Sequence, residues 1–132
     1  MENRILDLSK YRMEKAKDDL ETSEIMFTNN KFSQSINRSY YAMFHAVRSL
    51  LALSKFDSQK HSGIISYFNH HFIKSGKIEV KYSKMLTTAF KIRSDSDYKD
   101  FYIITHQDAK LQLENAKRFV ERIQRFLEQS DS

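Results

Sequence analysis

Arg38 and His45 lie seven residues apart within Asn37-Arg38-Ser39-Tyr40-Tyr41-Ala42-Met43-Phe44-His45-Ala46, a stretch with helical periodicity. At 100° per residue the two share one stripe, two turns apart. A guanidinium beside an imidazole suits metal-free phosphodiester chemistry, in which a base takes a proton from an attacking hydroxyl and a cation steadies the phosphate. The pair also has a structural reading, with Arg38 against a carboxylate and His45 hydrogen-bonded at an interface. Two other groups carry chemistry-bearing side chains. His61-Ser62-Gly63 reads first as a helix start with a close helix approach at Gly63. Arg93 with Asp95 and Asp97 reads first as a local ion pair fastening a loop.

Other chemistries lack their residues. The five histidines are His45, His61, His70, His71 and His106, and no His-Glu-x-x-His spacing occurs. His70 and His71 are helix neighbours that point about 100° apart and do not readily share an ion. With no cysteine there is no thiolate ligand, no thiol nucleophile and no disulfide. No Gly-rich phosphate loop or Gly-x-Ser-x-Gly elbow is present either. No metal and no cofactor is expected.

The element that must position Arg38 and His45 looks buried on two faces. Ile36, Tyr40, Met43, Phe44, Val47, Leu50 and Leu51 cluster on one side and predict the core. Around Arg38 and His45 stand Ser35, Ala42, Ser49 and Ala52, a face too small and too uncharged for ordinary solvation. It predicts a close-packed contact, and the cheapest candidate is a second copy, with Ala42, Ser49 and Ala52 as the dimer face.

The chain of 132 residues suits one domain, 1–132, with a core over about 9–128. It has no proline and only Gly63 and Gly76, which argues for long helices over a hairpin-rich β fold. Net charge is +5, spread among acids without a dense basic run, so phosphate binding is permitted and not demanded. No apolar run reaches signal-peptide or membrane-span length, and a cytoplasmic protein without membrane contact is expected.

Apolar spacing at Met13, Ala16, Leu20 and Phe27 predicts a first helix from about Ser9 to Asn29, stopped by Asn29-Asn30. Ser33 is placed to cap a second, running to about Ser54. Ser58 or Asp57 is placed to cap a third from roughly Gln59 to Lys74, closed by Gly76 in the left-handed region. A fourth runs from Glu79 to about Ser94 through Tyr82, Met85, Leu86, Ala89, Phe90 and Ile92. Arg93 to Phe101 then reads as a polar loop, because Ser and Asp compete for backbone hydrogen bonds. Thr105 to Asp108 resembles a capping box. It opens a last helix to about Glu128 with Ala109, Leu113, Ala116, Val120, Ile123 and Leu127 on one stripe, widened by Phe119 and Phe126. The sum is an all-α, antiparallel up-and-down helical bundle.

Tyr40-Tyr41-Ala42-Met43-Phe44-His45-Ala46, then His61-Ser62-Gly63, then Arg93 leading into Asp97-Tyr98, resemble a HEPN domain of the compact stand-alone bacterial and archaeal kind. The resemblance implies a four-helix core with an additional helix, commonly a homodimer. It implies frequent pairing with a minimal nucleotidyltransferase, often as a toxin–antitoxin or defence couple, and roles in RNA cleavage or nucleotide binding.

Ribonuclease members of that family carry Arg followed after four to six residues by His. After Arg93, Tyr98, Lys99 and Asp100 stand at those spacings, and none is an imidazole. Tyr is a poor base near neutral pH, with an unperturbed pKa of about 10. The expected site therefore gathers Arg38, Tyr41, His45, Arg93, Asp97 and Tyr98 in one cleft for a nucleotide or RNA. In a ribonuclease, His45 would be the base and Arg38 or Arg93 the phosphate clamp. Otherwise the chain is a binding partner without chemistry of its own.

Overall fold

A chain without proline and with only two glycines has little to interrupt a helical run. In a computed structural model, which describes residues 2–130, the elements are α1 (Glu2–Thr28), α2 (Phe32–Leu53), α3 (His61–Phe68), α4 (Val80–Tyr98) and α5 (His106–Ser130). A π-helical turn at Asn69–Ile73 continues α3, with Lys74 N donating to Asn69 O at 2.8 Å. The described residues contain no strand.

Neighbouring helices run antiparallel. Ser9 early in α1 meets Ser49 late in α2, and Ser23 late in α1 meets Ser35 early in α2. Phe27 near the end of α1 packs on His106 at the start of α5, with ring centroids 4.8 Å apart. Arg122 late in α5 pairs with Glu79, just before α4, at 2.8 Å. Thus α1, α2, α4 and α5 form an up-and-down four-helix core, and α3 with its π turn is the additional helix. Phe68 and Phe72 seat that helix on Phe119 and Phe126 of α5.

Helix α2 is the central rod. Its Ile36, Tyr40, Met43, Val47, Leu50 and Leu51 are essentially sealed, as are Ile64, Phe68, Leu86, Phe119 and Ile123 around it. Each such aliphatic or aromatic side chain contributes roughly 1.5–3 kcal/mol on burial.

The small-residue face of α2 does not await a second copy. Ala42, Ser49 and Ala52 are buried within the single chain. Their cover is α1, whose Ser9, Ala16 and Ser23 repeat at heptad intervals as Ser35, Ala42 and Ser49 do on α2. Ser9 Oγ donates to Ser49 O at 2.8 Å and Ser49 Oγ to Ser9 O at 2.7 Å. Ser23 Oγ donates to Ser35 O at 2.7 Å and Ser35 Oγ to Ser23 O at 2.9 Å. These reciprocal clasps hold the two backbones close, and short side chains are what such an approach demands.

Other expectations shift for local reasons. Helix α1 starts at Glu2 and not near Ser9, because Leu6 extends its apolar stripe to a small cavity of about 140 Å³ shared with Met13, Leu53 and Leu127. The expected polar loop after Ser94 is helical to Tyr98. Its acids find partners one turn away, Asp95 with Lys91 at 3.1 Å and with Lys99 at 3.4 Å, and Asp97 with Arg93 at 3.2 Å. Asp57 and Ser58 shape the turn before α3 without capping it, Asp57 Oδ1 accepting from Ser58 N and Ser58 Oγ from Lys60 N. That turn, and not a helix, makes the close approach at Gly63, where a Cβ would come within 2.5 Å of Ser58 Oγ. Gly76 takes its left-handed position with φ +82°.

Candidate functional site

Between Ser35 and Ala52 only Asn37, Arg38, Tyr41, His45 and Arg48 of α2 reach the surface. Their three-four spacing makes one narrow strip down an otherwise buried rod, open between α1 on one side and α3 and α4 on the other. The strip carries no acid. Its countercharges come from other elements: Asp19 on α1 and Asp57 in the α2–α3 turn.

Tyr41 is the hub. The Arg38 guanidinium lies 4.9 Å from its ring centroid and the Arg93 guanidinium 5.4 Å. The His45 and His61 rings lie 5.9 and 5.8 Å away. Arg93, far from Arg38 and His45 in the sequence, thus joins them around one phenol.

The three groups are not equally available. Arg38 gives Nη1 to Asp19 at 2.9 Å and Nε and Nη2 to Asn37 Oδ1 at 3.1 and 2.7 Å. Arg93 lies over Tyr40 at 5.1 Å, donates Nη1 to Asp97, and leaves its buried Nε without an acceptor. A buried guanidinium N–H with no partner is costly, and an incoming anion would relieve it. Arg38, Asn37 and Asp97 also line a surface groove of about 410 Å³ beside Thr22 and Met26 of α1. Tyr98, at the last turn of α4, is 80% exposed.

His45 is held neutral. Burial first, then the surrounding Lys15, Arg48, Arg38 and Arg12, press its pKa down to about 4. Asp19 Oδ2 lies 3.8 Å from Nε2. Its Nδ1 is buried with no partner. Burial also raises the Asp19 carboxyl above its usual range, against the opposing pull of Arg38. His45 therefore sits mostly buried in the α1–α2 seam, not at the front of the groove.

Sequence reasoning gave His61 a helix-start role, and the structure sets it in the site. Its Nδ1 is 2.7 Å from the Tyr40 hydroxyl, and its ring stacks on Phe44 at 4.1 Å. The Tyr40 phenol is raised well above the ordinary range by burial, despite Arg93, so it keeps its proton. In the tautomer where Nδ1 accepts that proton's hydrogen bond, the neutral imidazole carries its own proton on Nε2. Burial, then Arg93 and Arg48, lower the His61 pKa and favour that neutral form. Arg48 was also missed. The signal was present, since Arg48 continues the Arg38–Tyr41–His45 stripe by one further step of three.

Among the described residues no group of three or more His, Cys, Asp or Glu is placed to hold a metal ion. None of their helices is long and apolar enough to cross a membrane.

The HEPN domain sequence profile matches residues 9–126. A Methanocaldococcus jannaschii protein named "putative toxin" is 31% identical over 117 residues, covering 89% of this chain and 87% of its own. A Thermotoga maritima UPF0332 protein is 28% identical over 118 residues, covering 89% of each. A Pyrococcus horikoshii UPF0332 protein reaches 46% over 70 residues, covering 53% of this chain and 49% of its own. A bundle of the expected topology, a profile match over residues 9–126, and two relatives aligned over 89% of the chain agree: the chain belongs to the HEPN-domain family.

Proposed function

We propose that this protein is a toxin-like HEPN module that binds the phosphate of a nucleotide or RNA at the Tyr41 hub. It acts as a homodimeric partner of a minimal nucleotidyltransferase, with no chemistry of its own. The observation that carries the reading is the pair of guanidiniums, one from α2 and one from α4, over a single tyrosine ring, with Arg93 Nε lacking an acceptor. Asp19 and Asp97 hold the arginines in place and leave faces and donors for an anion. The absence of an imidazole four to six residues after Arg93 supports binding over cleavage. The toxin-like role draws on the names of relatives, and the nucleotidyltransferase partner on the family resemblance.

A labelled oligoribonucleotide followed by fluorescence anisotropy at low salt tests this. Arg93→Ala weakens binding roughly tenfold or more, the worth of one or two charge-assisted hydrogen bonds. Equal affinity in a folded variant would sink the reading.

One observation favours a second reading, a metal-independent ribonuclease: His61 supplies an imidazole that packs on Tyr40 and Tyr41, the same two rings that Arg93 lies over. In that reading the general acid–base group is His61, oriented by Tyr40, in place of His45. Cleavage of the same RNA in EDTA, lost in His61→Gln, replaces the binding-only role with this one.

A further inference from the structure

The turn between α2 and α3 closes over a second cluster of charge that the Tyr41 hub does not use. Arg12 from α1 and Arg48 from α2 both reach Asp57 Oδ2 at 3.1 Å, and Arg48 also reaches Oδ1 at 3.3 Å. Arg12 Nη1 donates to Arg48 O at 3.2 Å, which brings the two cationic side chains together. Beside them lies an open recess of about 470 Å³, lined by Phe44, Arg48, Asp57, Ser58, Gln59 and His61.

We propose that this recess is a binding site for a phosphate dianion, with Arg12, Arg48 and His61 as its donors, and that Asp57 occupies the arginines in the ligand-free protein. The charge count is the first argument. Two guanidiniums face one carboxylate, so the cluster keeps one uncompensated positive charge. Burial, and then Arg48, already press on the Arg12 guanidinium, with Asp57 only partly relieving it. A phosphate dianion brings two charges where Asp57 brings one. Its tetrahedral oxygens can also take forked hydrogen bonds from both guanidiniums at once.

The second argument is the wall of donors. With the Tyr40 hydroxyl donating to Nδ1, His61 presents Nε2–H as a donor from a neutral ring. Arg48 Nε is buried and has no partner among the protein's own groups. The third argument is that the plug is loose. Asp57 is 51% exposed and stands in the short turn that follows Lys55, whose φ is +58°. Burial works against its ionisation, yet Ser58 N, Arg48 and Arg12 keep it charged, so it competes as an anion and leaves as one. An exposed carboxylate is cheap to displace.

This site uses neither Arg38 nor Arg93 and shares only His61 with the Tyr41 hub, so the Arg93→Ala variant separates the two readings. The test is thermal unfolding of the full chain with sodium phosphate, adenosine 5′-monophosphate or adenosine, against sodium chloride at equal ionic strength. Phosphate and the monophosphate raise the wild-type Tm and adenosine does not. Whichever of the two acts at lower concentration identifies free phosphate or a nucleotide as the source of the group. Asp57→Asn starts from a lower Tm, and its phosphate affinity is at least fivefold higher than that of wild type. Arg48→Gln removes the response, and Arg93→Ala, which cripples the neighbouring hub, keeps it. In the unaltered protein the His61 ring ¹⁵N resonances move with phosphate, which covers the case of a variant that folds poorly. Phosphate affinity unchanged in Asp57→Asn, a response that survives Arg48→Gln, or unmoved His61 resonances would overturn the proposal and leave Asp57 a plain structural staple.

Discussion

His45 shows how far a residue's role depends on what surrounds it. Spacing on α2 paired it with Arg38, and the pairing is real, but the third member is Asp19 from α1, which no local pattern in α2 announces. Burial first, and then cations from both helices, Lys15 and Arg12 on α1 and Arg38 and Arg48 on α2, hold it neutral with a pKa of about 4 against an unfolded value of 6.5. Between those two pH values the unfolded chain binds the proton and the folded chain does not, so stability is full above about 6.5 and declines as pH falls toward 4. The loss is on the order of 3 kcal/mol at most. Asp19 acts in the opposite sense, because its raised carboxyl pKa makes the folded state the better proton acceptor near pH 4. Urea unfolding between pH 7 and pH 5 should show the decline, and His45→Gln should remove the larger part of it, leaving the smaller share that His61 contributes in the same direction. A variant with the wild-type slope would mean that the seam does not hold His45 neutral.

Among the elements, α2 was read correctly as a rod buried on two sides, and its second cover was assigned to the wrong partner. Small side chains on a face report that something approaches closely, and they do not report what. The matching pattern lay in plain sight on α1, where Ser9, Ala16 and Ser23 repeat the interval of Ser35, Ala42 and Ser49. Recognising it required comparing two helices in an antiparallel register, which a residue-by-residue reading does not supply. Ala42→Arg therefore destabilises the single chain by several kcal/mol through overpacking and a buried charge, and does not merely separate subunits. A circular-dichroism melt close to wild type would contradict the α1–α2 seam. Helix α4 failed in the other direction. Ser and Asp at 94–97 favour a loop when weighed singly, and their ion pairs to Lys91, Arg93 and Lys99 favour the helix when weighed together.

For the whole molecule, closing the small-residue face moves any self-association elsewhere. Exposed apolar side chains cluster in sequence at Leu6, Leu8 and Tyr11 of α1 and, more exposed, at Tyr98, Phe101, Tyr102 and Ile103 of the α4–α5 turn, where Phe101 is fully exposed and Ile103 82% exposed. Phe101 also holds φ +60°, a conformation disfavoured for a bulky residue. If the chain dimerises, Phe101→Ser with Ile103→Ser shifts sedimentation toward monomer at micromolar concentration and leaves the melting curve nearly unchanged. An unaltered dimer would place the contact on another surface. By itself the sequence determined the helices, the core stripes of α2 and α5 and the HEPN resemblance, because periodicity, breakers and side-chain size act over one or two turns and are written locally. Only the tertiary structure decided that α1 covers α2, that Arg93 joins Arg38 over Tyr41, and that His61 meets the same tyrosine rings as Arg93. Those pairings join residues on different elements, and they are fixed by how whole helices dock: their charges and rings meet only after the bundle has closed.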